Sequence, residues 1–243
     1  MIAIRNAVKQ FGVQKVLDGL SFEVKSGEIV CLLGRSGAGK SVLLKCIVGL
    51  GQLDAGEICV DEFHVGSLNE RDLFSLRRQC AMVFQQPALL DSLTVFENIG
   101  FGLEAERLDE ETEKIRVESA VRRVGLELAV LPEYPLNLSF GAQKRISIAR
   151  VLALNPKYFL FDEPTTGLDP VVTRSLNHLI QTIVRGTDRS ALVVSHDVES
   201  ALEIADRIIL LQDGHQVFWG TPGEFITSNQ PLAVQFKKYG RWS

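Results

Sequence analysis

The sequence predicts an α/β fold built on a buried parallel sheet, with an antiparallel β layer at its N-terminus and a helical lobe set into the middle of the chain. Three observations carry that expectation. Continuous apolar runs at 29–33, 158–161 and 191–194 have the character of strands buried on both faces, and helical periodicity separates them. The segments 2–8 and 16–24 instead place β-branched and apolar residues at strand spacing. Between about 88 and 156 the strand signals vanish and helical periodicity replaces them.

Taken in order, the two N-terminal strands lead through Lys25-Ser26-Gly27-Glu28, a turn, into Ile29-Val30-Cys31-Leu32-Leu33, which runs into a glycine-rich segment. Val42, Leu43, Cys46, Ile47 and Leu50 then recur at helical spacing, giving strand, loop and helix. In the lobe, Glu104, Glu106, Asp109, Glu110, Glu111 and Glu113 read as a solvated helix face. Asp169-Pro170 starts a helix, with an acid at the N-cap and proline at the first position, carried by Val172, Leu176, Leu179, Ile180 and Ile183. The run 207–211, the dipeptide Asp213-Gly214 and the run 216–219 make a hairpin, since Asp-Gly accepts the positive φ angles of a tight turn. The organisation expected is a single domain over 1–243, with 1–87 and 157–220 as α/β core, 88–156 as helical lobe and 221–243 as C-terminal tail.

Composition narrows the function. The chain has 243 residues, 46% hydrophobic and 23% charged, and its net charge of −4 offers no footprint for nucleic acid. No stretch approaches the ~18 apolar residues of a membrane span, and Met1-Ile2-Ala3-Ile4-Arg5 does not read as a leader, so a cytoplasmic location is expected. Cys31, Cys46, Cys59 and Cys80 form no CxxC pair and no His/Cys grouping with zinc spacing; they read as small buried thiols and receive no function.

The chemistry lies in two motifs. Gly34-Arg35-Ser36-Gly37-Ala38-Gly39-Lys40-Ser41 matches GxxxxGK[ST], the P-loop pattern, between a predicted strand and a predicted helix. Its glycines let backbone N–H groups turn inward around phosphates, and the helix N-terminus adds partial positive charge. Lys40 would reach the β- and γ-phosphates of ATP, and the Ser41 hydroxyl would ligate Mg²⁺. Asp162, ending the run 158–161, suits the metal, and Glu163 suits a general base toward attacking water. The fold class is therefore an α/β P-loop NTPase core with a parallel sheet, an N-terminal antiparallel β layer and an inserted helical lobe.

With these residues in place the chain resembles the ABC ATPase family. Leu138-Ser139-Phe140-Gly141-Ala142-Gln143-Lys144-Arg145 is similar to the signature segment LSGGQ, and it lies between the P-loop and Asp162-Glu163. Val83-Phe84-Gln85 resembles the Q-loop, Gly167-Leu168-Asp169 the D-loop and Ser195-His196-Asp197 the switch histidine. The adjacent Ser-His-Asp cannot fold into a hydrolase triad. The resemblance implies that Phe11 stacks on adenine, that the P-loop through Val42 binds nucleotide, and that Gln85 joins Mg²⁺ and water to the lobe. It implies that His196 contacts the γ-phosphate and Asp169 the dimer partner. It further implies a head-to-tail homodimer with ATP between one subunit's P-loop and the other's Ser139 and Gly141. Phe140 and Ala142 stand where glycine and glutamine are usual, and a bulky residue there could crowd the phosphate or bar positive φ.

Within the family, the runs 39–45 and 84–98, with the tail 229–236, resemble ATPases of the Mla or MCE-type phospholipid transporters. That implies a multispanning permease, an MCE-domain substrate-binding protein and a small regulatory subunit as partners, with the ATPase peripheral on the inner face of the cell membrane. A polar amino-acid importer is the alternative within the family, and a soluble ABC ATPase outside transport is the alternative beyond it. A P-loop kinase would have no use for the signature segment or for His196.

Overall fold

The computed structural model describes residues 1–239. In chain order its elements are β1 (Ile2–Phe11), β2 (Gln14–Val24), β3 (Ile29–Gly34), α1 (Lys40–Ile47), β4 (Ala55–Val60), β5 (Phe63–His64), α2 (Glu70–Gln79) and β6 (Cys80–Val83). Next come α3 (Val95–Gly100), α4 (Glu110–Arg123), α5 (Phe140–Ala153), β7 (Tyr158–Asp162), α6 (Pro170–Val184) and β8 (Ser190–Ser195). The chain continues with α7 (Val198–Ile204), β9 (Arg207–Gln212), β10 (His215–Gly220), α8 (Pro222–Thr227) and α9 (Pro231–Tyr239), and short 3₁₀ turns join several of them.

Two sheets form. The first is antiparallel in the order β2-β1-β4-β5; the second runs β10-β9-β3-β8-β7-β6. In the second, β6, β7, β8, β3 and β9 are parallel and only β10 is antiparallel, joined to β9 by the expected Asp213-Gly214 turn. Alternation within the strands divides the core between the sheet's two faces. Ile29, Cys31, Leu33, Phe159, Phe161, Ala191 and Val193 pack with the lobe helices and α6; Val30, Leu32, Tyr158, Leu160, Leu192 and Val194 pack with α1 and the antiparallel sheet. Each large apolar side chain so buried contributes about 1.5–3 kcal/mol, which is why these strands read as unbroken apolar runs.

Seven elements are present that the sequence expectation did not assign: β4, β5, α2, β6, α7, and, within the C-terminal tail, α8 and α9. The first helix is also shorter than its apolar stripe suggested. It stops at Ile47, because Gly49 takes φ 66° and closes the chain against Leu73, leaving Leu50 beyond the helix and exposed. Between 88 and 156 every helix or strand is helical, with α5 capped by Ser139, whose hydroxyl accepts from Ala142 N.

Candidate functional site

Sheet register assembles the site. β3, β8 and β7 are adjacent and parallel, with Leu33 paired to Ser195 and Asp162 to Val194. Their C-terminal ends therefore deliver the loop after Gly34, the acids Asp162-Glu163 and the pair Ser195-His196 to one edge of the sheet, where open α/β sheets bind ligands. β6 adds a fourth strand in register, Val83 beside Phe161, so that Gln85 emerges next to Glu163.

The loop between β3 and α1 is shaped by glycine. A Cβ at Gly39, which has φ 92°, would lie 2.2 Å from the carbonyl oxygen of Val16, so only glycine passes here. Lys40 folds back over the loop, its Nζ donating to the carbonyls of Gly34 at 2.8 Å and Arg35 at 3.0 Å. Burial lowers its pKa, an effect opposed by Glu163, whose Oε1 is 3.7 Å away. Ser41 Oγ donates to Asp162 Oδ1 at 2.8 Å. Burial raises the Asp162 pKa against that hydrogen bond.

Glu163 is the hub. Its Oε2 accepts from Thr166 Oγ1 at 3.0 Å and from Gln85 Nε2 at 3.3 Å, and it lies 3.2 Å from His196 Nδ1. Its backbone is in the left-handed region at φ 46°, held there by the hydrogen bond from its N–H to the Val194 carbonyl. A glutamate in that region is strained, and the strain aims the carboxylate at the loop rather than along the strand. Asp197, next to His196, caps α7 by accepting from Ser200 N and Oγ and takes no part in the hub.

The other sequence-expected residues fall elsewhere. Ser139 and Gly141 sit at the start of α5, near the D-loop and α6: a Cβ at Gly141 would lie 3.4 Å from Val172, and the Phe140 ring packs against Gly167. Neither Phe140 nor Gly141 takes a positive φ, so the bulky residue is accommodated as ordinary helix. Asp169 caps α6, its Oδ1 accepting from Val171 N and Val172 N. Phe11 ends β1 with its ring 56% exposed and Lys9 Nζ over it at 5.4 Å. Val42 packs inward from α1. Arg35 reaches Gln235 of α9 at 2.8 Å and borders a cleft of ≈ 650 Å³ beside His196 and the D-loop.

Residues 17–166 match the family described as "ABC transporter". The chain belongs to the ABC transporter family. It is 38% identical over 229 residues to the methionine import ATP-binding protein MetN of Clostridioides difficile (strain 630), covering 94% of this chain and 71% of that one. It is also 38% identical over 227 residues to the L-cystine import ATP-binding protein TcyN of Bacillus subtilis (strain 168), covering 92% and 87%. Among solved structures, the dimeric post-hydrolysis state of the ATP-binding cassette MJ0796, bound to ADP and Pi, superposes with a TM-score of 0.85 at 30% identity, covering 91% of this chain and 99% of that one. The chain is thus one of the family's ATP-hydrolysing cassettes.

In this cassette the residues fit both nucleotide and metal. The glycine-rich loop and the Lys40 ammonium folded over it suit phosphate, and the Ser41 hydroxyl and Asp162 carboxylate, already 2.8 Å apart, are hard oxygen donors suited to Mg²⁺. When bound, that ion would neutralise charge developing on the transferred phosphoryl group.

Two residues of the cassette escaped sequence reasoning. Thr166 holds Glu163, as above. Lys144 is 1% exposed; its Nζ donates to the Gln85 carbonyl and stands 5.5 Å from the centroid of the Phe140 ring. Its signal was present: it lies one helical turn after Phe140, just before the apolar stretch Ile146 to Ala149. Lys144→Met keeps the apolar stem but removes the donor that fixes the Q-loop backbone. ATP turnover is expected to fall about tenfold with ATP affinity unchanged, since a hydrogen bond from a charged group contributes about 1.5–3 kcal/mol. Wild-type turnover would show that Gln85 is positioned without Lys144.

Proposed function

We propose that this cassette powers a membrane importer of amino acids, working as a nucleotide-sandwiched homodimer docked on permease subunits at the cytoplasmic face of the membrane. The observation that supports the cargo class is the match to MetN and TcyN, each at 38% identity over more than nine-tenths of this chain. The segments that resemble phospholipid ATPases are short by comparison, and the relatives named above import amino acids by name. No MCE-domain partner or small regulatory subunit is carried into this reading. The MJ0796 dimer supports the pairing. No helix among the described residues is long and apolar enough to cross a membrane.

In the cycle proposed, Lys40 and the loop bind the phosphates of ATP, Ser41 and Asp162 hold Mg²⁺, and Glu163 takes a proton from the attacking water. Gln85 and His196 orient that water and the γ-phosphate from either side of Glu163. Ser139 and Gly141, which make no contact with Glu163 among the hydrogen bonds above, are proposed to complete the partner's site, and Phe11 offers an exposed face for adenine.

Coupling to the permease is proposed for the segment after Gln85. Asn98, fully buried, accepts from Leu90 N and donates to the carbonyls of Leu90, Leu93 and Thr94, which rigidifies a loop whose Leu90 side chain stands 42% exposed. Leu90→Glu should leave the isolated cassette folded and able to bind ATP, yet lower its recovery with membranes and its stimulation by the permease. Unchanged assembly would place docking elsewhere. The cargo is tested by reconstituting the cassette with the membrane subunits that co-purify with it. ATP turnover should rise with an associated binding protein loaded with methionine or cystine. Stimulation by phospholipid with no response to amino acid would overturn the importer reading.

A further inference from the structure

The antiparallel sheet carries a second group of ligating side chains, remote in sequence from every motif above. Residues at i and i+2 of a strand share a face, and the residue directly opposite on the neighbouring strand shares it too. Glu57 and Cys59 are two apart on β4, and Cys59 is the ladder partner of His64 on β5. Cys59 Sγ lies 3.3 Å from His64 Nδ1, and one donor atom from each of the three residues lies within 4.8 Å of the others.

We propose that Glu57, Cys59 and His64 form a binding site for a zinc-class divalent cation, with a fourth coordination position open to solvent. Thiolate with imidazole selects a borderline-soft ion over Mg²⁺ or Ca²⁺, and three protein ligands plus water is a recurrent zinc arrangement. Sulfur and nitrogen ligands of a tetrahedral zinc ion lie about 3.5 Å apart, close to the separation the sheet already imposes. The donors sit on strands rather than loops. β4 is held on its other side by β1, with Ala3 opposite Cys59 and Arg5 opposite Glu57, so the group is preorganised. A cleft of ≈ 420 Å³ bordered by Glu57 and His64 gives an ion its route in. The competitor is Arg5, whose Nη1 donates to Glu57 Oε1 at 2.7 Å. Both partners are exposed, so the pair is weak and readily displaced. Sequence spacing hid the site because Cys59 and His64 meet across a hairpin, not within a metal-binding motif.

The test is titration of the chelator-stripped, nucleotide-free full chain with Zn²⁺ by calorimetry and with Co²⁺ by absorption. One ion per chain is expected at about micromolar affinity or tighter, with a thiolate-to-cobalt charge-transfer band. Cys59→Ser should abolish that band, and His64→Ala, at an exposed position, should weaken binding at least about tenfold. Arg5→Ala should tighten binding by releasing Glu57, whereas Asp162→Asn should leave it unchanged, which separates this ion from one held beside the P-loop. Absence of micromolar Zn²⁺ binding, indifference to His64→Ala, no gain in Arg5→Ala, or loss in Asp162→Asn would each overturn the assignment.

Discussion

Glu163→Gln is expected to lower steady-state ATP turnover by about 10²–10⁴-fold, a barrier increase of about 3–5 kcal/mol, while ATP continues to bind. The substitution is nearly isosteric. A glutamine oxygen can still accept from Thr166 Oγ1, so the geometry of the hub persists, but the amide has no basicity toward water. Binding should survive because Lys40, 3.7 Å from the lost carboxylate, keeps both of its carbonyl partners. Phosphate release measured beside a nucleotide titration separates the two effects. Turnover near wild type would move the base to another residue. The same variant, loaded with ATP, should accumulate as a dimer in light scattering and fall apart in ADP, since the γ-phosphate is proposed as the shared ligand. A monomer under every nucleotide would mean that pairing requires the permease.

Lys40→Ala is expected to fail one step earlier, weakening ATP affinity by about 10²-fold or more. Two losses combine. A desolvated ammonium at 4% exposure no longer faces the phosphates, and the Gly34 and Arg35 carbonyls lose the donor that braces the loop. Calorimetry should show the deficit in binding itself, in contrast to the Glu163 variant. Unchanged affinity would dissociate the loop from nucleotide binding.

Much of the site was legible because its chemistry is written in local patterns that sheet register then brings together. The continuous runs around Cys31, Phe159 and Val193 announce strands buried on both faces, and the glycines and acids after them need only parallel pairing to converge. What escaped was set by distant pairing. Cys80 to Val83 is four residues long and becomes a strand because β7 lies beside it; Phe63-His64 becomes one through Cys59 and Val60. Lys144 stands in the segment 138–145 with no role assigned from the sequence, and its partner, the Gln85 carbonyl, comes to it only through the fold. For Phe140 the helix answers one half of the expected conflict, because the position needs no positive φ.

The backbone at Glu163 has a consequence for how this protein can change. Of the non-glycine residues with positive φ, Asn6, Asp61, Asn155 and Asp213 are of the types that tolerate it; Ala88, Arg107 and Glu163 are not, and of those three only Glu163 lies in the candidate site. Strain of this kind costs on the order of 1–3 kcal/mol, a sizeable share of a fold's net stability. Selection for heat resistance alone would favour glycine or asparagine at 163 and silence the enzyme, so thermal tolerance and turnover pull this one position in opposite directions.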